Sequence, residues 1–161
     1  AARARYSPGA PSDRRPSAPR QTHQGCPAVS GPAELYVDWL TAEGYRPTVD
    51  GDGDVVFKIE GGVYYIDVDT DDPAYFRIVF PNFWTIEDAD ELARARTAAN
   101  HASATTKVVK VYVRPDETDT IAAVEMYLDP PEAFQPIFGR AVGAIQHATN
   151  TFRMVMRGEA P

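Results

Sequence analysis

From residue 54 to residue 80 apolar and polar side chains alternate with a period of two, the pattern of strands with one buried face. In Asp54–Glu60, Val55, Phe57 and Ile59 share one face and Val56, Lys58 and Glu60 the other. Glu60-Gly61-Gly62 follows as a tight hairpin turn, since glycine accepts positive φ. In Val63–Asp69, Tyr64, Ile66 and Val68 oppose Val63, Tyr65 and Asp67; in Tyr75–Phe80, Phe76, Ile78 and Phe80 oppose Tyr75, Arg77 and Val79. Pro81 is expected to end that strand. Two later runs alternate in the same way: Lys107–Arg114, with Val109, Val111 and Val113 inward, and a strand to Leu128, with Val124, Met126 and Leu128 inward. The polar turn Pro115–Thr120 joins them.

Three other segments carry the helical period. Leu35, Tyr36, Trp39 and Leu40 mark the first, with Gly44 placed as a C-terminal cap. Thr85-Ile86-Glu87-Asp88 resembles a capping box and opens an alanine-rich helix to about Ala104, with Ala89, Leu92, Ala93, Arg96 and Ala99 along one side. Asp129-Pro130-Pro131-Glu132 opens the last helix, Asp129 as cap. Phe134, Phe138, Ala141, Ile145, Ala148 and Phe152 then form its apolar stripe, and Pro136 should delay the regular helix. The order is α-β-β-β-α-β-β-α. This predicts an α+β fold of two layers, an antiparallel sheet with all three helices on one face.

Composition divides the chain in two. Residues 1–32 hold six prolines, five arginines, a single acid (Asp13) and almost no large apolar side chain, which predicts a disordered tail. The remaining residues hold 11 basic and 22 acidic side chains and form the folded domain, 33–157. So acidic a domain argues against nucleic acid or an anionic membrane as the main partner. The one cysteine, Cys26, permits no internal disulfide. Gln24-Gly25-Cys26 lacks the apolar stretch a lipoprotein site requires, and no run of about 18 apolar residues suits a membrane span. A cytoplasmic location is expected.

Two aspartate runs imitate calcium loops. Asp50, Asp52 and Asp54, and again Asp69 after Asp67 and before Asp71, have the alternate spacing. The EF-hand also needs glycine at its sixth position and glutamate at its twelfth. The first run places Val55 and Gly61 there, the second Asp72 and Ile78. Turn chemistry is the better reading of both, the first run between the first helix and the first strand and the second in the hairpin between the second and third strands, and no metal or other cofactor is expected.

The stretch "GYRPTVDGDGDVVFKIEGGVYYIDVDTDDPAYFRIVFPNFW", Gly44–Trp84, with the later "TKVVKVYV" and "VEMYLD", is similar to the YbjN-like family of bacterial proteins, described as sensory transduction regulators. The resemblance spans about residues 33–157. It implies the type III secretion chaperone-like fold and a binding module, with a homodimer as one arrangement. The family has no agreed catalytic motif to carry over, and the Arg/Pro tail falls outside its pattern.

Catalytic chemistry finds little to stand on. His23, His101 and His147 are scattered, and HExxH, GxSxG and glycine-rich phosphate loops are missing. Ser103 lies two residues from His101, which on a helix points elsewhere. Asp67 and Asp69 have the type for acid–base work, but an exposed strand edge explains them better. No catalytic residue is assigned. The face of the sheet away from the helices is more telling. It should carry Tyr65, Tyr75, Tyr112 and Tyr127 among Lys58, Asp67, Arg77, Lys110 and Glu125. Tyrosine is favoured at interfaces, and equally as a cross-strand partner on any sheet. Phe83-Trp84 reads as a staple against the second helix.

The sequence thus predicts a non-enzymatic protein-binding module, chaperone-like or a regulatory adaptor, with its partner unnamed. The partner-binding candidates are Tyr65, Tyr75, Arg77, Tyr112 and Tyr127. A ligand- or metal-sensing regulatory domain is the alternative, and a carboxylate-dependent enzyme ranks third.

Overall fold

The computed structural model describes residues 31–159. The expected tail therefore lies outside the described residues, except for Gly31 and Pro32. In chain order the elements are α1 (Pro32–Ala42), β1 (Thr48–Val49), β2 (Val55–Ile59), β3 (Gly62–Asp67), β4 (Tyr75–Thr85), α2 (Ala89–Thr105), β5 (Val109–Val113), β6 (Asp119–Tyr127), a 3-10 segment (Pro131–Ile137) and α3 (Phe138–Met156). The six strands form one antiparallel sheet in the order β1-β2-β3-β4-β6-β5. The three helices cover one face, giving the expected two-layer α+β fold.

The alternation of the strands sets the core. Val55, Ile66, Ile78, Val124 and Val109 stand opposite one another across β2, β3, β4, β6 and β5 and all are buried. Against them lie Tyr36 and Leu40 from α1 and the whole expected stripe of the last helical region, Phe134 to Phe152. Phe134 packs edge-on to both Tyr36 and Trp39, at 4.9 and 5.1 Å between ring centres. Gly44, at φ +90°, closes α1 as its cap, its amide donating to Thr41 while that of Tyr45 reaches back to Leu40. Glu60 and Gly61 both take positive φ in the β2–β3 turn, the two-residue geometry that suits strand twist.

Five local expectations are corrected. First, Pro81 does not end its strand: β4 continues to Thr85. Its pairing with β3 stops at Val79, so beyond that point it borders β6 alone, the edge-like setting that tolerates proline. Second, the first aspartate run does not join the first helix to the first strand: β1, a two-residue edge strand too short to show a period, intervenes, and the run joins it to β2. Third, the cap of α2 is Asp88, whose carboxylate accepts from the amide of Glu91 at 2.7 Å. Glu91 reaches back to the amide of Glu87 at 2.8 Å, so the reciprocal cap lies three residues after Thr85. Fourth, α2 buries Ala95, Ala98, Ala99 and Ala102, and only Ala99 belongs to the expected side. Small side chains along this face let α2 lie close to α3 and β5. Fifth, Asp129 caps nothing: Pro130 precedes the 3-10 segment without a side-chain cap. Pro136 sits inside that segment and α3 starts two residues later, the delay that its missing amide imposes.

Candidate partner-binding face

The register places Tyr65, Tyr75, Arg77, Tyr112 and Tyr127 together on the face away from the core. Tyr65 lies opposite the outward Val79, and Tyr75 opposite Tyr127. Arg77 stands between Asp67 on β3 and Glu125 on β6, and Tyr112 on β5 is opposite Ile121. All five strands from β2 to β5 in sheet order contribute, since Val56 and Lys58 continue the face on β2.

An ion-paired lattice holds the middle of this face. Arg77 pairs with Asp67 through one guanidinium nitrogen and with Glu125 through Nε at 3.2 Å. Its remaining nitrogen donates to the Tyr112 phenol oxygen at 2.9 Å. Lys110 pairs with the other oxygen of Glu125. Asp67 is therefore not on an exposed strand edge, as its sequence pattern suggested: β3 has a neighbour on each side. Val79 and Ala123 face each other in this layer and are buried, flanked in the same row by Tyr65 and Lys110. The face is thus a fitted polar surface with phenol edges, and among its tyrosines only Tyr127, at 75%, is widely exposed. Tyr127 leans on Tyr75 with ring centres 5.8 Å apart.

The charges of the lattice shift as its geometry requires. Burial raises the Asp67 carboxyl above the ordinary range, with Arg77 opposing the rise and Asp54 adding to it. Burial also pushes Glu125 upward, but the bond and charge of Lys110, together with Arg77, outweigh it and leave the group below its usual value. One carboxylate shares a cation with its neighbour and the other has two, which accounts for the opposite signs. Tyr75 is pushed up to about 12, by burial first and then by the negative charge of Glu125.

The aspartate runs are occupied by the backbone. Asp50 accepts from the amides of Asp52 and Asp54 at 3.0 and 3.1 Å, and Asp69 from those of Asp71 and Asp72 at 2.9 and 3.1 Å. Asp54 accepts from Val68 at 2.9 Å, so the two turns meet at one end of the sheet. Among the described residues no group of three or more His, Cys, Asp or Glu side chains is placed to hold an ion. Ser103 does not approach a histidine: its hydroxyl bonds both the amide and the carbonyl of Val111. His147 is exposed on α3 and His101 half-buried on α2, while His23 and Cys26 lie outside the described residues. Phe83 and Trp84 lie in β4 and stack edge-on against Phe152 of α3, at 5.1 and 5.8 Å between ring centres. The Trp84 indole also reaches α2, donating to Glu91 at 3.0 Å. The role of Lys110 and Tyr112 in the Arg77 lattice was beyond sequence reasoning, because the three segments involved are far apart in the chain.

No protein-family model matches this chain, and no curated protein matches it. Solved structures do. YbjN from E. coli, described as a proposed transcription regulator, superposes with a TM-score of 0.58 at 11% identity, over 81% of this chain and 96% of that one. An uncharacterised protein from Methanothermobacter thermautotrophicus superposes with a TM-score of 0.50 at 13% identity, over 80% of this chain and 99% of that one. The chain has the YbjN-like fold. Among the described residues no helix is long and apolar enough to cross a membrane.

Proposed function

We propose that this protein is a non-enzymatic binding module that engages a protein partner, or a second copy of itself, through the open face of the sheet. The observation that carries this reading is the Arg77 lattice. Asp67, Glu125, Lys110 and Tyr112 converge on one guanidinium or its partner carboxylate, which holds the Tyr112 phenol in place at the centre of the face. A surface ordered before contact loses less side-chain entropy on binding, and tyrosine adds large contact area. The paired charges keep the face wet in the free protein and set register against a complementary partner. Likeness in fold to a proposed transcription regulator favours a regulatory setting. The excess of acidic side chains favours action through protein rather than by direct contact with nucleic acid. The test compares parent and face-altered protein in sedimentation velocity and in pull-down from the native host. Loss of assembly or capture with the fold intact supports the reading, and unchanged behaviour in both removes it.

A further inference from the structure

On the helix side, away from the tyrosine face, a cleft of about 290 Å³ opens between the start of β5, the end of β6 and the first turns of α3. Met126, Ile137, Ala141 and Ala144 form its apolar floor, and Lys107 and Arg140 stand at its edge. Three features bear on what this hollow can take.

The first is Val108, which also lines it. Its φ is +59°, a region that β-branched residues rarely enter, and 59% of its surface is exposed. Strained backbone persists only where the fold enforces it, and here the result is an apolar side chain standing in water at the mouth of the cleft. The second is charge. Lys107 and Arg140 stand together at the rim, and like Arg46, Lys58, Arg94, Arg153 and Arg157 neither has a carboxylate within ion-pair distance among the described residues. Both cations are therefore free to meet an incoming anion beside the apolar floor. The third is size. A helix is about 10 Å across, far wider than such a cleft admits, whereas the volume sits at the low end of small-ligand sites, about 300 Å³.

We infer that this cleft binds a small apolar monocarboxylate, its alkyl chain against Met126, Ile137 and Ala144 and its carboxylate held by Arg140 and Lys107. Arginine offers a carboxylate two parallel donors, and lysine adds a point charge. Val108 covers the chain once it is in place. No bond is made or broken. This site uses none of the residues of the sheet face, so its fate and that of the proposed protein contact are independent.

The full chain is titrated with octanoate, with 1-octanol and acetate as controls, by calorimetry and by amide chemical-shift mapping. Octanoate should saturate one site per chain and shift the amides of Val108, Arg140 and Ala144. Acetate should fail to saturate and 1-octanol should bind about tenfold more weakly, the loss of one charge-assisted contact. Arg140→Gln and Lys107→Gln lie on exposed positions that leave the fold intact, and each should weaken octanoate about tenfold. Ala144→Phe, checked by circular dichroism, should abolish binding by filling the hollow. Tyr65→Ser should leave it unchanged. Equal affinity for octanoate and 1-octanol, indifference to both charge substitutions, or no saturable octanoate binding would each overturn the assignment.

Discussion

Arg77 on β4 donates a hydrogen bond to the phenol oxygen of Tyr112 on β5, 2.9 Å away, although β6 lies between the two strands. The guanidinium ties three strands together, with Asp67 on β3 adding a fourth. Removing it would leave Asp67, only 30% exposed, without a cation and Glu125, 16% exposed, with Lys110 alone. Arg77→Met is expected to lower stability by roughly 2 kcal/mol, the scale of a lost charge-assisted bond in a half-wet site. Urea unfolding gives the number. Adding Asp67→Asn and Glu125→Gln should restore part of it, because the penalty comes from the unpaired charges; no recovery would mean that packing of the Arg77 stem dominates.

Tyr65 and Tyr112 are half-buried on the same face and neither belongs to the core. Tyr65→Ser with Tyr112→Ser should therefore leave the circular dichroism spectrum unchanged while weakening self-association or partner capture several-fold. Truncations at the centre of an interface are the costly ones, commonly above 1 kcal/mol each. A double variant that unfolds would place these tyrosines in the core; one that folds and binds like the parent would make the face solvated surface only.

The lattice should leave opposite marks at the two ends of the pH scale. Tyr75 is pushed up to about 12, against about 10 in an unfolded chain. Its contribution is complete below pH 10 and is lost as pH rises through 12. Burial raises Tyr36 and Tyr64 as well, so a spectrophotometric tyrosine titration should show several late-ionising groups and lose one of them in Tyr75→Phe. Glu125 is depressed, so its contribution is present above the ordinary glutamate range and lost as pH falls through the lower folded value. Glu125→Gln should flatten the acid limb of the stability curve, and an unaltered limb would count against the Lys110 and Arg77 pairings.

Calcium should find no vacancy in the aspartate turns, since one oxygen each of Asp50, Asp54 and Asp69 already serves a backbone amide. Millimolar calcium is expected to leave the melting temperature unchanged. A site filled at 100 times its dissociation constant would add about 2.7 kcal/mol, plain in a thermal melt. A saturable rise would restore the metal reading of these runs.

Much of this protein was legible in its sequence for a plain reason. Period-two alternation in β2, β3, β5 and β6, and the Phe134–Phe152 stripe, each have one apolar side, and burying that side leaves a single sensible arrangement. The outward position of Tyr65, Tyr75, Tyr112 and Tyr127 follows from the same alternation, because a one-residue slip would invert every side chain. The tertiary structure decided what local pattern leaves degenerate. Alanines lie on every side of α2, so only packing against α3 and β5 could select Ala95, Ala98, Ala99 and Ala102 as its buried row. Pro81 stays in β4 because β3 withdraws beside it, a fact about a neighbouring strand and not about proline. The Arg77 lattice and the Lys107–Arg140 cleft join residues tens of positions apart. Such sites depend on strand order and helix placement, and periodicity within one segment carries no record of either.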